Sequence, residues 1–300
     1  MEIRLRAPGS TSNLGPGFDA LGLALTIYNR VVIRTASNDR RRRMCITGKG
    51  AGKLPLDDSN LFFRSADAAA RRAGRTLPGL DVEMHNGVPL SRGLGSSSTA
   101  IATGVYAANL LLGEPMSEHA LLDLATELEG HPDNVAPCLL GGLVICSSEN
   151  GRVETIRALP PSELRAVVAV PCFELNTEAA RAALPEQVPH RDAVFNVGRA
   201  CLVTAALMSG DLPALRSAMR DRLHQPYRAS LVPGIGHVLE AAEEAGAMGA
   251  CLSGAGPSLL AFATDDAVSI ASAMKKAWER QDIQVDTAVL RVDRDGVTTE

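Results

Sequence analysis

Aromatic side chains are scarce in this sequence, with one tryptophan, three tyrosines and six phenylalanines among 300 residues. Its cores must therefore be built from Leu, Val, Ile and Ala. At 46% hydrophobic residues, the chain has the composition of a protein that mixes helices and strands around sizeable cores, in one large domain or, as expected here, two of ordinary size. A surplus of positive charge is missing too. The formal net charge of −4 offers no electrostatic case for nucleic acid or for an anionic membrane. No uninterrupted apolar run reaches the length of a membrane span, and no charged-then-apolar signal stretch opens the chain, so a soluble, cytoplasmic protein is expected. Metal-like cysteine spacing is also absent. Cys45, Cys138, Cys146, Cys172, Cys201 and Cys251 are scattered, mostly inside apolar runs, and read as small buried hydrophobes in a reducing compartment. There is no Gly-Lys-[Ser/Thr] of a Walker loop, and Gly93-Leu-Gly95 lacks the third glycine of a dinucleotide fingerprint, because Ser98 stands where it would fall. The lack of a Gly-x-Ser-x-Gly elbow disfavours a serine hydrolase.

What is present centres on Pro89-Leu-Ser-Arg-Gly-Leu-Gly-Ser-Ser-Ser-Thr-Ala100. Ahead of it, Leu80 to Asn86 alternates apolar and polar residues, the period of a half-buried strand. Behind it, Ile101, Val105, Ala108 and Leu112 recur at helical spacing and Gly113 marks a stop. Strand, glycine loop and helix start in that order make an anion site, because the first N–H groups of a helix lack partners and carry partial positive charge. Gly93 and Gly95 permit positive φ and keep side chains away from a phosphate. Ser96, Ser97 and Ser98 can cap the helix or offer hydroxyls to phosphate and its magnesium. The plain alternative is a turn followed by an N-cap.

The remaining pattern mixes strands and helices in both halves. Glu2 to Ala7 reads as a strand, and the turn formers from Pro8 to Gly17 as a loop ending at Phe18-Asp19. Val31 to Thr35 is a strand, Asn38-Asp39 a charged turn, and Arg40 to Arg43 a solvated hairpin tip. Helical spacing runs from Asn60 to Gly74 and from an N-cap at Ser117 to Glu129, broken by Gly130. His131 to Pro137 reads as a polar turn, Cys138 to Ile145 as a buried strand and Ser147 to Arg152 as another turn. Leu159-Pro-Pro-Ser162 is the candidate boundary between domains 1–160 and 161–300. Beyond it come a strand from Leu164 to Phe173 and helices over 177–184, 192–208, 212–224 and 235–245. Two strands about a glycine turn follow, from Ala250 to Phe262, then a helix over 267–280 and a strand over 285–292. Two sheet-and-helix sandwiches are the natural architecture, an α+β fold.

Three glycine-rich turns thus stand at element ends: Pro8 to Asp19, Pro89 to Ala100, and Leu252-Ser-Gly-Ala-Gly-Pro-Ser258. This trio, in this order and over essentially the whole chain, resembles the GHMP small-molecule kinases, a two-domain fold with an N-terminal ATP-binding domain. Ala7-Pro-Gly-Ser-Thr-Ser-Asn-Leu-Gly-Pro-Gly-Phe-Asp19, Glu129 to Pro137, Asn176-Thr-Glu-Ala-Ala-Arg181 and Gln225-Pro-Tyr-Arg228 resemble the homoserine kinase branch. A mevalonate kinase would carry lysine at Ser10, and a galactokinase a Gly-Glu-His signature. The resemblance implies phosphorylation of L-homoserine by ATP with Mg2+, a step toward threonine, and a homodimer. It assigns Pro89, Leu90, Ser91, Arg92, Gly93, Leu94, Gly95, Ser96, Ser97, Ser98 and Thr99, with Gly254 and Gly256, to ATP. It assigns Ser97 and Glu129 to the metal. Arg181 and Arg228 suit the acceptor's carboxylate and Asp19 its ammonium, while His131 and Thr177 line the pocket. Asn13 and Asp133 are the catalytic candidates. Because Ser10 replaces the lysine, Asp133 is expected to lack a basic partner, so the hydroxyl proton leaves late, to phosphate or solvent.

Overall fold

In the computed structural model, which describes residues 1–36 and 41–300, two sheets carry the chain. β1 (Glu2–Ser12) pairs antiparallel with the long β2 (Leu21–Ala36). β2 then serves two partners: its C-terminal half pairs with β4 (Gly79–Asn86), and its first residues pair with β5 (Leu143–Glu149). β3 (Arg42–Gly48) joins β4 in parallel, β6 (Arg152–Ala158) joins β5, and β11 (Thr298–Thr299) returns from the C-terminus to β1. The second sheet has the order β10 (Val285–Arg291), β7 (Arg165–Pro171), β9 (Leu259–Ala263), β8 (Gly249–Leu252), all antiparallel.

Helices cover both sheets. α1 (Leu61–Arg72), α2 (Ser96–Leu111), α3 (Glu118–Glu129) and α4 (Pro132–Leu140) pack on the first, around Leu5, Phe62, Phe63, Val82, Ile101 and Val105. Asn60 starts α1 by accepting from the N–H of Phe62, and Ser117 starts α3 by accepting from that of Ala120. α9 (Ile235–Glu244) and α10 (Ala267–Glu279) cover one face of the second sheet, around the buried Trp278. A third cluster, containing Leu14, Leu23, Leu25, Leu94, Val168 and Phe262, draws on residues from both sheets. Among the described residues no helix is long and apolar enough to cross a membrane.

Several sequence expectations need correction. Cys138, Cys146 and Cys251 are buried as expected, whereas Cys45, Cys172 and Cys201 are exposed. Residues 8–12 extend β1 instead of forming a loop, because Ser10 and Ser12 pair in register with Ala24 and Gly22 and their hydroxyls are satisfied inside by Asn134. His131 to Pro137 is not a turn. Pro132 occupies the first helical turn, where a missing N–H costs nothing, and α4 runs to Leu140 before Gly141-Gly142 releases the chain into β5. The stretch from Cys138 to Ile145 is therefore half helix and half strand. The helix expected over 212–224 shrinks to a 3-10 turn and the four-residue α7 (Leu215–Ala218). There the Asp221 carboxylate takes the N–H groups of Leu223, His224 and Gln225 and starts α8 (Gln225–Arg228) instead. Finally, Arg42 is no solvated tip residue: its guanidinium forks onto Asp67 at 2.7 and 2.5 Å and lies over Phe63. The turn at Asn38-Asp39, and Arg40, lie outside the described residues.

Candidate active site

The end of β1, the loop into α2, the start of α4 and the β8–β9 turn meet at one place. Ser10 N–H donates to the carbonyl of Leu94 at 3.1 Å, and the N–H of Gly254 to that of Ser12 at 3.2 Å. Ser253 Oγ donates to the carbonyl of Gly93 at 2.6 Å and lies 2.9 Å from Thr11 Oγ1. All three glycine-rich turns are stitched together by these bonds. Gly93 and Gly95 have φ of 70° and 69°. A Cβ on Gly93 would lie 2.1 Å from the carbonyl oxygen of Ser253, and one on Gly95 would lie 2.3 Å from Ser10 Oγ. Their missing side chains thus admit the neighbouring turns, a role beyond leaving room for a phosphate.

The junction opens into a cleft of about 940 Å³. At its middle lies the N-terminus of α2, entered from Gly95 in left-handed conformation without a side-chain cap. The serines do not cap this helix. Ser97 Oγ and Ser98 Oγ both donate to Glu129 Oε1, at 2.6 and 2.9 Å. Glu129 ends α3, so a carboxylate and two hydroxyls converge beside unpartnered helix N–H groups. This all-oxygen set fits a small hard cation.

At the other side of the junction, Asp19 and Arg181 form a forked pair at 2.8 and 3.0 Å. Arg181 projects from α5 (Thr177–Ala182), started by Asn176, and Thr177 faces the same space. Phe18 lies under both Arg181 and Arg228, 5.7 and 5.3 Å from its ring. Arg228 is buried and held by the carbonyl of Ala180 at 3.0 Å, yet still reaches the cleft. Burial, then the repulsion of Arg181, pushes its pKa below the ordinary guanidinium value, which is the sign expected of a cation pair suited to an anionic guest.

Asp133 has a basic partner after all. His131 Nδ1 lies 2.5 Å from Asp133 Oδ1, because α4 starts between them and turns both side chains inward. Burial opposes the charged imidazole, but the bond to Asp133 and its negative charge outweigh that and raise the pKa of His131. Oxygen and nitrogen atoms of Asp19, His131 and Asp133 all lie within 4.8 Å of one another. Asn13 also lines the cleft. In left-handed conformation, it donates to the carbonyl of Gly254 at 3.0 Å and accepts from the N–H of Asp19 at 3.0 Å, so its amide fixes the loop.

Families of known proteins match this arrangement. A model described as the GHMP kinases N terminal domain covers residues 60–142, and one described as GHMP kinases C terminal covers residues 203–280. A curated homoserine kinase of Deinococcus radiodurans is 47% identical over 86% of this chain and 83% of its own length. One of Moorella thermoacetica is 42% identical over 93% and 94%. The crystal structure of homoserine kinase from Cytophaga hutchinsonii superposes with a TM-score of 0.91 at 35% identity, covering 100% of this chain and 97% of that one. The chain belongs to the homoserine kinase family of GHMP kinases.

The kinase cleft gathers most, not all, of the residues expected from sequence. Ser91, Gly93, Gly95, Ser96, Ser97, Glu129, His131 and Asp133 face it, as do Asn13, Asp19, Thr177, Arg181 and Arg228. Leu90 and Arg92 border it, but Arg92 spends its guanidinium on the carbonyls of Pro171 and Cys172, at 2.9 and 2.6 Å, tying the loop to the second sheet. Leu94 is a core residue and Pro89 lines a separate cavity of about 410 Å³, so neither side chain reaches the kinase cleft. Thr99 is buried, accepting from Asn29 at 2.7 Å. Gly254 and Gly256 stand behind Ala255, which alone of that turn faces the cleft. The sequence reading missed the far end, where Leu54, Pro55, Asn60, Leu61, Met84 and Asn86 make an apolar slot with two amides. Asn86 Oδ1 is buried there without a partner. The available signal was Asn86 itself, a polar residue at the next position on the strand face that carries Leu80, Val82 and Met84.

Proposed function

We propose that this chain transfers the γ-phosphoryl group of ATP to the side-chain hydroxyl of L-homoserine, giving O-phospho-L-homoserine. The observation that carries the reading is the Asp19–Arg181 pair with Arg228 beside it, in one cleft with the α2 N-terminus and Glu129. A zwitterionic amino alcohol exchanges for that pair without leaving a charge unmatched. Its carboxylate takes the two guanidinium groups and its ammonium takes Asp19, so the desolvation of each charge is offset by a hydrogen-bonded partner. Mevalonate has no ammonium and galactose has no charge, so neither replaces both halves.

Phosphoryl transfer through a loose transition state depends on position and charge neutralisation. The α2 N–H groups are placed for the phosphate oxygens, and the slot at Asn60 and Asn86 suits the nucleoside. Ser97 and Glu129 are the residues that would hold Mg2+, which supplies positive charge to the transferring group. Asp133, backed by His131, accepts from the acceptor hydroxyl and aims it. With Asp133 orienting the hydroxyl, its proton leaves late, to phosphate or solvent. The division into residues 1–160 and 161–300 places the phosphate loop and Glu129 in the first part and both arginines in the second.

Measuring ADP release with homoserine, mevalonate and galactose, each with and without Mg2+, tests the reading. Turnover with homoserine that requires Mg2+ is expected. Comparable turnover with either other alcohol, or ATP binding without turnover, would reject it.

A further inference from the structure

Arg228 is a guanidinium only 2% exposed, yet among the described residues every hydrogen bond to it comes from a neutral group. Its Nε donates to the carbonyl of Ala180 at 3.0 Å, and its Nη1 faces His224 Nδ1 at 3.3 Å and the carbonyl of Gly254 at 3.4 Å. A buried cation is normally paired with an acid, but an acid here would use up the charge that the acceptor's carboxylate needs. Carbonyls and a neutral imidazole orient the guanidinium without cancelling it. Nη2 and the whole charge are left to the cleft that Arg228 lines.

The state of His224 follows from its two neighbours. Nε2 lies 2.7 Å from the carbonyl of Gly15, which can only accept, so Nε2 carries the hydrogen. Nδ1 faces a guanidinium, which can only donate, so it keeps its lone pair. The Asp221 carboxylate does not draw the imidazole into a charged pair. It stands 3.6 Å from Nε2 and already accepts from the N–H groups of Leu223, His224 and Gln225 and from Asn196 Nδ2 of α6 (His190–Ser209) at 2.7 Å. Phe18 stacks on the imidazole with ring centroids 5.3 Å apart, and Arg228 lies over that phenyl ring. His224 therefore supports the guanidinium both directly and through Phe18. We propose that His224 is a positioning residue for the acceptor: its Nδ1 holds one Nη of Arg228 so that the other meets the acceptor's carboxylate. This rests on the reading of Arg228 as a carboxylate ligand. A cationic residue at 224 would repel the guanidinium and an acidic one would neutralise it, whereas a neutral acceptor does neither.

Two near-isosteres separate the roles of the ring nitrogens. His224→Asn puts an amide oxygen where Nδ1 stands and loses the bond to Gly15. His224→Gln reaches Gly15 with its amide nitrogen and offers Arg228 no acceptor. In steady-state assays of the full chain, His224→Gln should raise the KM for homoserine about tenfold, the order lost with one hydrogen bond to a charged group, and His224→Asn no more than about threefold. The KM for ATP should not move with either. Because His224 acts through Arg228, adding His224→Gln to Arg228→Met should change the KM for homoserine by less than about twofold. In an enzyme that phosphorylates homoserine, three results overturn the inference: a rise of about tenfold with His224→Asn, parallel shifts in both KM values, or about tenfold added to Arg228→Met. A wild type that leaves homoserine unphosphorylated overturns the functional reading, and the inference with it.

Discussion

Arg181 and Asp19 hold each other in a forked pair, and on the proposed reading the acceptor replaces it, which makes the pair a direct probe of acceptor binding. Arg181→Met removes a charge-assisted contact of about 2 to 3 kcal/mol. The KM for homoserine should rise roughly 30- to 150-fold while the KM for ATP stays put. Asp133 tests the proton. Asp133→Asn keeps a polar group near the hydroxyl, so late proton loss predicts a fall in kcat of about tenfold, below the range of a true base. A drop of about ten-thousandfold with homoserine affinity intact would make Asp133 the base. His224 supplies a pH readout of the buried scaffold. Its Nε2–H donates to the carbonyl of Gly15 at 2.7 Å, which leaves Nδ1 to accept from Arg228 at 3.3 Å. Burial outweighs Asp221 and Gly15 and holds its pKa below the ordinary 6.5. The unfolded chain therefore takes the proton first as pH falls, and the folded state loses stability from about pH 6.5 downward. Thermal unfolding should show a smaller loss between pH 7.5 and pH 5.5 in His224→Asn than in the wild type. The opposite contribution of His131, whose raised pKa favours folding at low pH, is common to both proteins and cancels in the comparison.

At the scale of elements, the third glycine turn is held on the first motif by Gly254, whose N–H reaches Ser12 and whose carbonyl accepts from Asn13. Gly254 has φ of 56°, and a Cβ there would come within 3.1 Å of Ser12 Oγ. Gly254→Val should thus cut activity severely yet leave a folded chain, as read by circular dichroism and turnover; an active variant would make the turn merely structural. Elements with strong local signals were readable from the chain alone. Helical spacing announced α1, the N-cap at Ser117 announced α3, and the glycine loop announced the start of α2. The segments that misled were those whose polar residues are satisfied by distant partners. Ser10 and Ser12 look like turn formers until Asn134, more than 120 residues away, takes their hydroxyls. The turn before β6 is a subtler case. The ladder runs up to Glu149 and Arg152, leaving only Asn150-Gly151, both at positive φ, as the hairpin connection.

Across the whole molecule, the two sheets bring together groups that are far apart in sequence. Asp19 belongs to the first turn and Arg181 lies 162 residues later. Family likeness supplied their roles in advance, but only the folded chain shows that they pair, that Asp133 is backed by His131, and that Asn13 braces the loop. The apolar end of the cleft was hard to read in the sequence because Leu54, Pro55, Met84 and Asn86 form no motif and become one surface only when α1 and β4 pack. Glu129 shows the same convergence at the N-terminus of α2, where Ser97 and Ser98 meet it from the helix that follows the loop. The turnover number of Glu129→Gln at saturating ATP and homoserine, titrated with Mg2+, tests that convergence most directly. A fall of about a thousandfold with lost Mg2+ dependence and an unchanged unfolding temperature is predicted. Turnover and Mg2+ dependence equal to those of the wild type would contradict it.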